Sequence, residues 1–371
     1  MKGTIKWFGI IALVAIIGFS MAACDSGSPA SSSGGGHSAT WIAIPAGDGT
    51  GGSTFPIGAS VDRIHGIAYG SGTFIAVGEA GRMARSTDNG VTWTAIPAGT
   101  GTNASTFPAA DNIRGIAYGN GTFIAVGDNG RMAHSTDNGV TWAAILVSGW
   151  HVGIAFGNNT FITTTTGGNG HSSTDEGATW TSTSIWGAGT RGITFGDGTF
   201  ITVGHSGAMR RSSNNGANWA NIPGGTGTNA STFPTSAPAD QIYGIAYGSG
   251  TFIAVGRAGR MARSTDSGVT WTAIPAGIGT DASTFPVIGA FDSIRGIAYG
   301  NGTFIAVGDR GRMASSADNG VTWIAIPGGT GTNASTFPSN ALGGIHSIAY
   351  GNGTFIAVGD MGRMARKHFT P

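Results

Sequence analysis

The chain has 371 residues, of which 68 are Gly and only 10% are charged. An average soluble domain is about 25% charged, so Ser, Thr, Asn and Gly supply the polar surface here. The formal charge of +1 argues against general nucleic-acid binding, which needs clustered positive charge, and the single cysteine excludes any internal disulfide.

The first element is a leader. Lys2 and Lys6 form a basic start, and an apolar run follows from Trp7 to Ala23, interrupted by Gly9, Gly18 and Ser20. The run is shorter than the ~20 residues of a spanning helix and reads as a secretory signal over residues 1–23. Met21-Ala22-Ala23-Cys24 resembles a bacterial lipobox. That resemblance implies cleavage before Cys24, lipidation of its sulfur, and a chain held by lipid in the bacterial cell envelope, outside the cytoplasm. The alternative is an ordinary signal cut near Ala23, leaving a free thiol. Residues 24–37 are rich in Ser and Gly and read as a flexible tether.

Residues 38–371 are dominated by repetition. The phrase GIAYGxGTFIAVG occurs with variations seven times, from Gly66, Gly115, Gly153, Gly192, Gly244, Gly296 and Ser347, at intervals of 38 to 52 residues. A period near ~40–50 residues built from short strands marks a β-propeller with one sheet per repeat. The first repeat shows four strands. GIAYG (66–70) carries small residues suited to the crowded axis. TFIAVG (73–78) is apolar on both faces, as for a sheet packed between two others. RMARS (82–86) and VTWTAIP (91–97) complete the blade. The last repeat supplies only three strands, roughly 347–366, whereas ATWIAIP (39–45) stands alone before the first. Pairing these ends predicts an all-β, seven-bladed propeller of four-stranded antiparallel blades, closed without a seam.

The turn before each Trp resembles the Asp-box, or BNR repeat, with pattern S-x-D-x-G-x-T-W. Full matches carry Asp88, Asp137, Asp175, Asp266 and Asp318 with Trp93, Trp142, Trp180, Trp271 and Trp323; SSNNGANW, ending at Trp219, departs from the pattern. Five equivalent acids on separate blades fit a fold device better than one active site. The carboxylate and Ser satisfy turn N–H groups, Gly adopts positive φ, and Trp packs between blades.

The opposite face holds the fourth-to-first and second-to-third connections. Five of the long ones contain Ser-Thr-Phe-Pro, whose sameness suggests Phe packing between blades. Two short ones carry Trp150-His151 and Trp186, and blade 3 lacks the Arg-Met strand, which predicts a notch. Around the axis the residue before each repeated phrase varies: His65, Arg114, Val152, Arg191, Tyr243, Arg295 and His346. The second-to-third turns vary as well, with Glu79, Asp128, His205, Arg257, Asp309 and Asp360. Together these predict a polar rim for an anionic or carbohydrate ligand; the alternative is a solvated face whose charges pair with one another. Arg82, Arg131, Arg260, Arg312 and Arg363 recur in the third strand and read as structural, stacking or pairing between blades.

The string VGDNGRMAHSTDNGVTW (126–142) is similar to repeats of the photosystem II stability and assembly factor-like propellers and of the wider sialidase-like group. The first resemblance implies a seven-bladed scaffold that binds a partner protein without catalysis; a monomer with no cofactor is expected. The second implies a carbohydrate-binding or glycoside-cleaving propeller. The residues for that chemistry are thin: Arg114, Arg191 and Arg295 can mimic an arginine triad, but Tyr243 and the only glutamates, Glu79 and Glu176, sit in different repeats. A third reading is a structural surface protein varied by duplication. No metal, phosphate-loop or nucleophile-elbow motif is present.

Overall fold

The computed structural model describes residues 17–18, 40–47, 52–55, 62–100, 104–185, 189–225, 231–233, 241–277, 283–285, 292–330, 334–340 and 343–369. The predicted cleavage site, Cys24 and the tether lie outside them. Seven antiparallel sheets are arranged around an axis. Blade 1 consists of Ile64–Gly70, Thr73–Gly78, Met83–Ser86 and Thr94–Ile96, and the plan repeats in blades 2 to 6. Blade 3 gains a fifth, two-residue strand, Ile17–Gly18, antiparallel to His151–Gly157.

Blade 7 closes the ring as the sequence predicts. Ile345–Gly351, Thr354–Gly359 and Met364–His368 come from the C-terminal end, and Ile42–Ile44 adds the outer strand. Ile42, Ala43 and Ile44 oppose Arg366, Ala365 and Met364. Trp41 and Ile44 are buried by this pairing.

The second strands are apolar on both faces because both are covered by neighbouring blades, and Thr73–Gly78 is buried throughout. The innermost strands differ from expectation. Each begins two residues earlier than the GIAYG phrase, and each carries a register shift, as between Ile64 and Gly66. The extra residue is a bulge, which turns one side chain out of the ladder.

Contact between blades repeats around the axis. The glycine ending each inner strand has no side chain because the next blade's aromatic ring occupies that space. A Cβ on Gly70 would lie 2.1 Å from Tyr118, and one on Gly119 2.2 Å from Phe156. The same relation joins Gly157 to Phe195, Gly196 to Tyr247, Gly248 to Tyr299, Gly300 to Tyr350 and, across the closure, Gly351 to Tyr69. Each ring also packs on its own blade's second-strand Phe, as Tyr118 does on Phe123 at 4.7 Å between centroids.

The Ser-Thr-Phe-Pro connections pack as expected where they are described. Phe55, Phe107, Phe233, Phe285 and Phe337 are fully buried. The serines anchor them, Ser105 donating through Oγ to the Gly81 carbonyl and Ser335 to that of Gly311. The third-strand arginines correct one expectation. Arg82, Arg131 and Arg312 pair with Asp62, Asp111 and Asp292 on the loop entering their own blade, not across blades. The cross-blade role falls to Arg85 and Arg263, which donate through Nε to the Asn138 and Asn319 carbonyls of the next turn, each at 2.7 Å.

The Ser-x-Asp-x-Gly turns lie on the opposite face from these connections. Ser86 Oγ donates to Asp88 Oδ1 at 2.8 Å and accepts the Gly90 N–H at 2.9 Å. The second carboxylate oxygen accepts the Thr92 hydroxyl at 2.5 Å. The turn glycine again marks a close approach, since a Cβ on Gly139 would meet Ile75 of the preceding blade at 2.3 Å. Trp142, Trp180, Trp219, Trp271 and Trp323 donate their ring N–H to the turn glycine carbonyl at 3.0 to 3.3 Å. Trp93, Trp271 and Trp323 are buried, but Trp142, Trp180 and Trp219 are only half-buried, so inter-blade burial of the indole is incomplete in blades 2 to 4. In blade 4 Asn214 accepts from Ser212 and from the Asn218 N–H, preserving the turn without a charge.

Hydrogen bonds from the Thr179 hydroxyl and N–H and from Ser173 hold the Asp175 carboxyl down at about 2. At Asp318 burial opposes ionisation, but the bonds from Thr322 and Ser316 prevail and again hold it at about 2.

Two outcomes are expected. Replacing Trp41 and Ile44 together by Ala lowers the unfolding free energy by roughly 5 kcal/mol, measured by urea denaturation; an unchanged midpoint refutes the closure. Asp318→Asn lowers the melting temperature at pH 7. The depressed carboxyl stabilises the fold above about pH 4, its unfolded range, and this contribution is lost as pH falls toward 2. The difference between variant and wild type therefore shrinks over that window, and a difference independent of pH refutes the assignment.

Candidate functional site

The bulges build the site. His65, Arg114, Val152, Arg191, Tyr243, Arg295 and His346 are the residues skipped in the seven inner-strand registers. All seven line one cavity of about 360 Å³ at the axial mouth. The sequence places these residues at the rim by their position before the repeated phrase. The bulge that aims them is not read there, although Ile64 and Ile67, both buried and three apart in a strand of period two, carry its signal.

The variable residues of the second-to-third turns lie on the same face; Asp128 lines the cavity, and Glu79, Asp309 and Asp360 meet bulge residues that do. Glu79, Asp128, His205, Arg257, Asp309 and Asp360 each open a short 3-10 turn. In four blades this residue is an acid facing a basic bulge residue. Arg114 grips Asp128 with two nitrogens, Nε to Oδ1 at 2.9 Å and an Nη to Oδ2 at 3.2 Å. Arg295 meets Asp309 at 2.6 Å, and His346 meets Asp360 at 2.7 Å. His65 lies 3.6 Å from Glu79. Burial, helped by His346 and Arg114, holds the His65 imidazole below its ordinary range despite Glu79. Burial works against ionisation of Asp360, but His346 and Arg63 keep its carboxyl low. Arg63, which the sequence reading does not single out, reaches Asp360 from the loop entering blade 1, at 3.2 Å.

Blades 3 to 5 break this pattern. The bulge residue of blade 4 is Arg191, exposed, and its turn residue is His205. Burial and the nearby Arg191 both lower the His205 imidazole, so blade 4 offers no anion to its arginine. In blade 5 the turn residue is Arg257 and the bulge residue is Tyr243, whose ring carries the Arg295 guanidinium 5.7 Å from its centroid. Among the described residues neither Arg191 nor Arg257 has an acidic partner. Blade 3 has Val152 and Thr166 at these positions, and Trp150 beside them is 53% exposed. Thr166 is a lining residue that the sequence reading misses; aligning blade 3 on Phe161 finds it at the place of Glu79.

Not every predicted rim residue reaches the mouth. His151 is fully buried, with Nδ1 3.0 Å from the Thr163 hydroxyl and Nε2 3.1 Å from the Val147 carbonyl. It occupies the place of Ile64 at the strand start, so its side chain points into the blade. Burial drops its imidazole to about 4. Trp186 lies outside the described residues. Glu79 is matched with His65 in blade 1 and Tyr243 stands in blade 5 against Arg295, so the acid and phenol of a glycosidase pair are not brought together. Glu176 belongs to a turn on the opposite face.

The mouth therefore has two halves. In blades 1, 2, 6 and 7 the turn acid faces a basic bulge residue of its own blade. In blades 3 to 5 Arg191 lines the mouth with Trp150 and Tyr243, Arg257 opens the turn of blade 5, and neither guanidinium has an acidic partner among the described residues. A guanidinium without a protein partner favours a carboxylate or phosphate, and the adjoining rings offer apolar area.

No curated protein matches this chain. Among solved structures it is similar to YCF48 bound to a D1 peptide (15% identity, TM-score 0.61), covering 89% of this chain and 97% of that one. It is similar to YCF48 from Cyanidioschyzon merolae (16% identity, TM-score 0.60), covering 89% and 99%. It is also similar to a catalytically inactive virginiamycin B lyase from Staphylococcus aureus with quinupristin (12% identity, TM-score 0.61), covering 85% and 98%. At these identities the likeness is one of fold. The DUF6242 beta propeller domain model matches residues 146–358, from the outer strand of blade 2 to the second strand of blade 7. The chain belongs to the DUF6242 beta propeller domain family.

Proposed function

We propose that this protein is a non-catalytic binding scaffold that takes an acidic segment of a partner protein at the axial mouth. The observation that carries this reading is Arg191, which lines the mouth with Trp150 and Tyr243 and has no acidic partner among the described residues, with Arg257 opening the second-to-third turn of the next blade. A carboxylate-bearing peptide satisfies the guanidinium groups through charge-assisted hydrogen bonds and covers the rings with its apolar atoms. The YCF48 structure with a D1 peptide supports the choice of a peptide ligand, being a propeller of similar fold that holds one.

The scaffold acts outside the cytoplasm as a monomer held to a membrane through lipidated Cys24, with residues 25–37 as tether. Cleavage before Cys24 also removes Ile17–Gly18 and leaves blade 3 with four strands like the rest. The Ser-x-Asp-x-Gly turns are Asp-boxes of the BNR type, serving the fold.

An array of acidic peptides and their Asn/Gln-matched counterparts tests the mouth. The protein retains acidic peptides preferentially, and Arg191→Ala with Arg257→Ala weakens binding by about tenfold or more, the worth of one charge-assisted hydrogen bond or better. Arg114→Ala, which removes a guanidinium already held by Asp128, has a smaller effect. Equal retention of acid and amide peptides defeats the proposal. For the anchor, globomycin is expected to accumulate uncleaved precursor, and Cys24→Ala to move the protein into the soluble envelope fraction; unchanged membrane partition of Cys24→Ala argues against lipidation.

A further inference from the structure

Blade 3 differs from its neighbours through its interior, and the differences form one set. The cross-strand pair Ala76–Ala84 of blade 1 becomes Thr163–His171, and Val77–Met83 becomes Thr164–Gly170. Ile64 opposite Gly78 becomes His151 opposite Thr165. The Arg82 position holds Asn169. The glycine-acid turn is replaced by Thr165-Thr166-Gly167-Gly168, closed by the Gly168 N–H on the Thr165 carbonyl at 3.1 Å. Burying these polar groups costs free energy that the apolar blades avoid. Part of that cost is not offset, because His171 is 5% exposed and its Nδ1 has no hydrogen-bond partner, and the Thr164 hydroxyl has none either. Blades 1, 2 and 5 to 7 fold on the apolar version, so folding does not call for the polar one.

Several of these blade 3 residues border a second cavity beside the mouth, of about 340 Å³. Trp150 forms the wall between the two, and Ser148, Thr166, Asn169, His171 and Ser182 line the rest. No charged side chain lines it. Hydroxyl, amide and imidazole groups provide both donors and acceptors, while the exposed indole provides a flat apolar face. We propose that this groove of blade 3 is a binding site for a neutral saccharide. Its ring C–H face stacks on Trp150, and its hydroxyls exchange hydrogen bonds with Asn169, Thr166, Ser182 and His171. A volume near 340 Å³ lies at the small end of ligand pockets, which suits one or two sugar rings. The absence of any guanidinium or carboxylate in the lining disfavours an anionic peptide here. Burial keeps the His171 imidazole below its ordinary range and thus neutral at pH 7, one nitrogen donating and the other accepting.

The test uses the full-length protein in detergent with maltotriose, cellotriose and triacetylchitotriose as probes, followed by calorimetry and tryptophan fluorescence. At least one trisaccharide binds with a dissociation constant below about 1 mM and shifts the indole emission. Trp150→Ala weakens that binding about tenfold or more, and Trp150→Tyr retains most of it. Because Trp150 is exposed, neither change moves the unfolding midpoint. His171→Ala, which installs the side chain blade 1 carries at Ala84, also folds and weakens binding. Arg191→Ala with Arg257→Ala leaves saccharide affinity within about twofold, which separates this site from the acidic-peptide reading. Failure of all three probes at about 10 mM, or binding indifferent to Trp150→Ala, overturns the proposal.

Discussion

Seven aromatic rings, each seated on a glycine of the preceding blade, hold the ring together. A side chain at any of those glycines would occupy the ring's own volume, as the 2.0 Å approach of Tyr350 to a Cβ on Gly300 shows. The inner strands can therefore approach as closely as their backbones allow, and that distance sets the angle between blades. The seventh contact, Gly351 with Tyr69, is like the other six. Closure is thus a property of the repeat, and the remaining features sit on a frame fixed by it: buried second strands, Phe-filled connections, and Asp-bearing turns that reach the Ile of the blade before.

Much of this was legible in the sequence because repetition reports geometry. The offset between the first Trp phrase and the last GIAYG phrase foretells the pairing of Ile42–Ile44 with Met364–His368. The bulges are hidden because a bulged residue looks like any variable residue at a strand entrance; only the spacing of Ile64 and Ile67 betrays it. The ion pairs of Arg82, Arg131 and Arg312 are misread although a constant spacing links acid to base: Asp62, Asp111 and Asp292 each stand 20 residues upstream of their arginine, inside loops whose other residues vary. His151 is placed at the rim because it shares a short connection with Trp150, yet it opens the inner strand at the place of Ile64 and is buried, whereas Trp150 before it is exposed.

The rim also shows why charge must be judged in pairs. Arg114, Arg191 and Arg295 look equivalent in the sequence, and all three line the mouth. Two are held by acids fourteen residues downstream in the next turn, Asp128 and Asp309, each contributed by the same blade. At the matching place after Arg191 stands His205. One exchange of acid for imidazole, and another of acid for Arg257 in blade 5, convert a balanced ring into one with a positive side. Near-identical repeats make such single exchanges conspicuous.

The closing strand carries a further implication. Ile42–Ile44 reads Ile-Ala-Ile, and so does Ile324–Ile326, the outer strand of blade 6; both face a Met-Ala pair. Side chains therefore do not tell these two edges apart. Covalent proximity does: blade 6 finds its outer strand a short turn away, whereas blade 7 must recruit one from the far end of the polypeptide, with the larger entropy of closing a long loop. The seam is accordingly the place where two molecules can trade strands during folding, each lending its beginning to the other's end and forming an intertwined pair. Crowded nascent chains face this exchange most, and dilution favours the self-contained toroid.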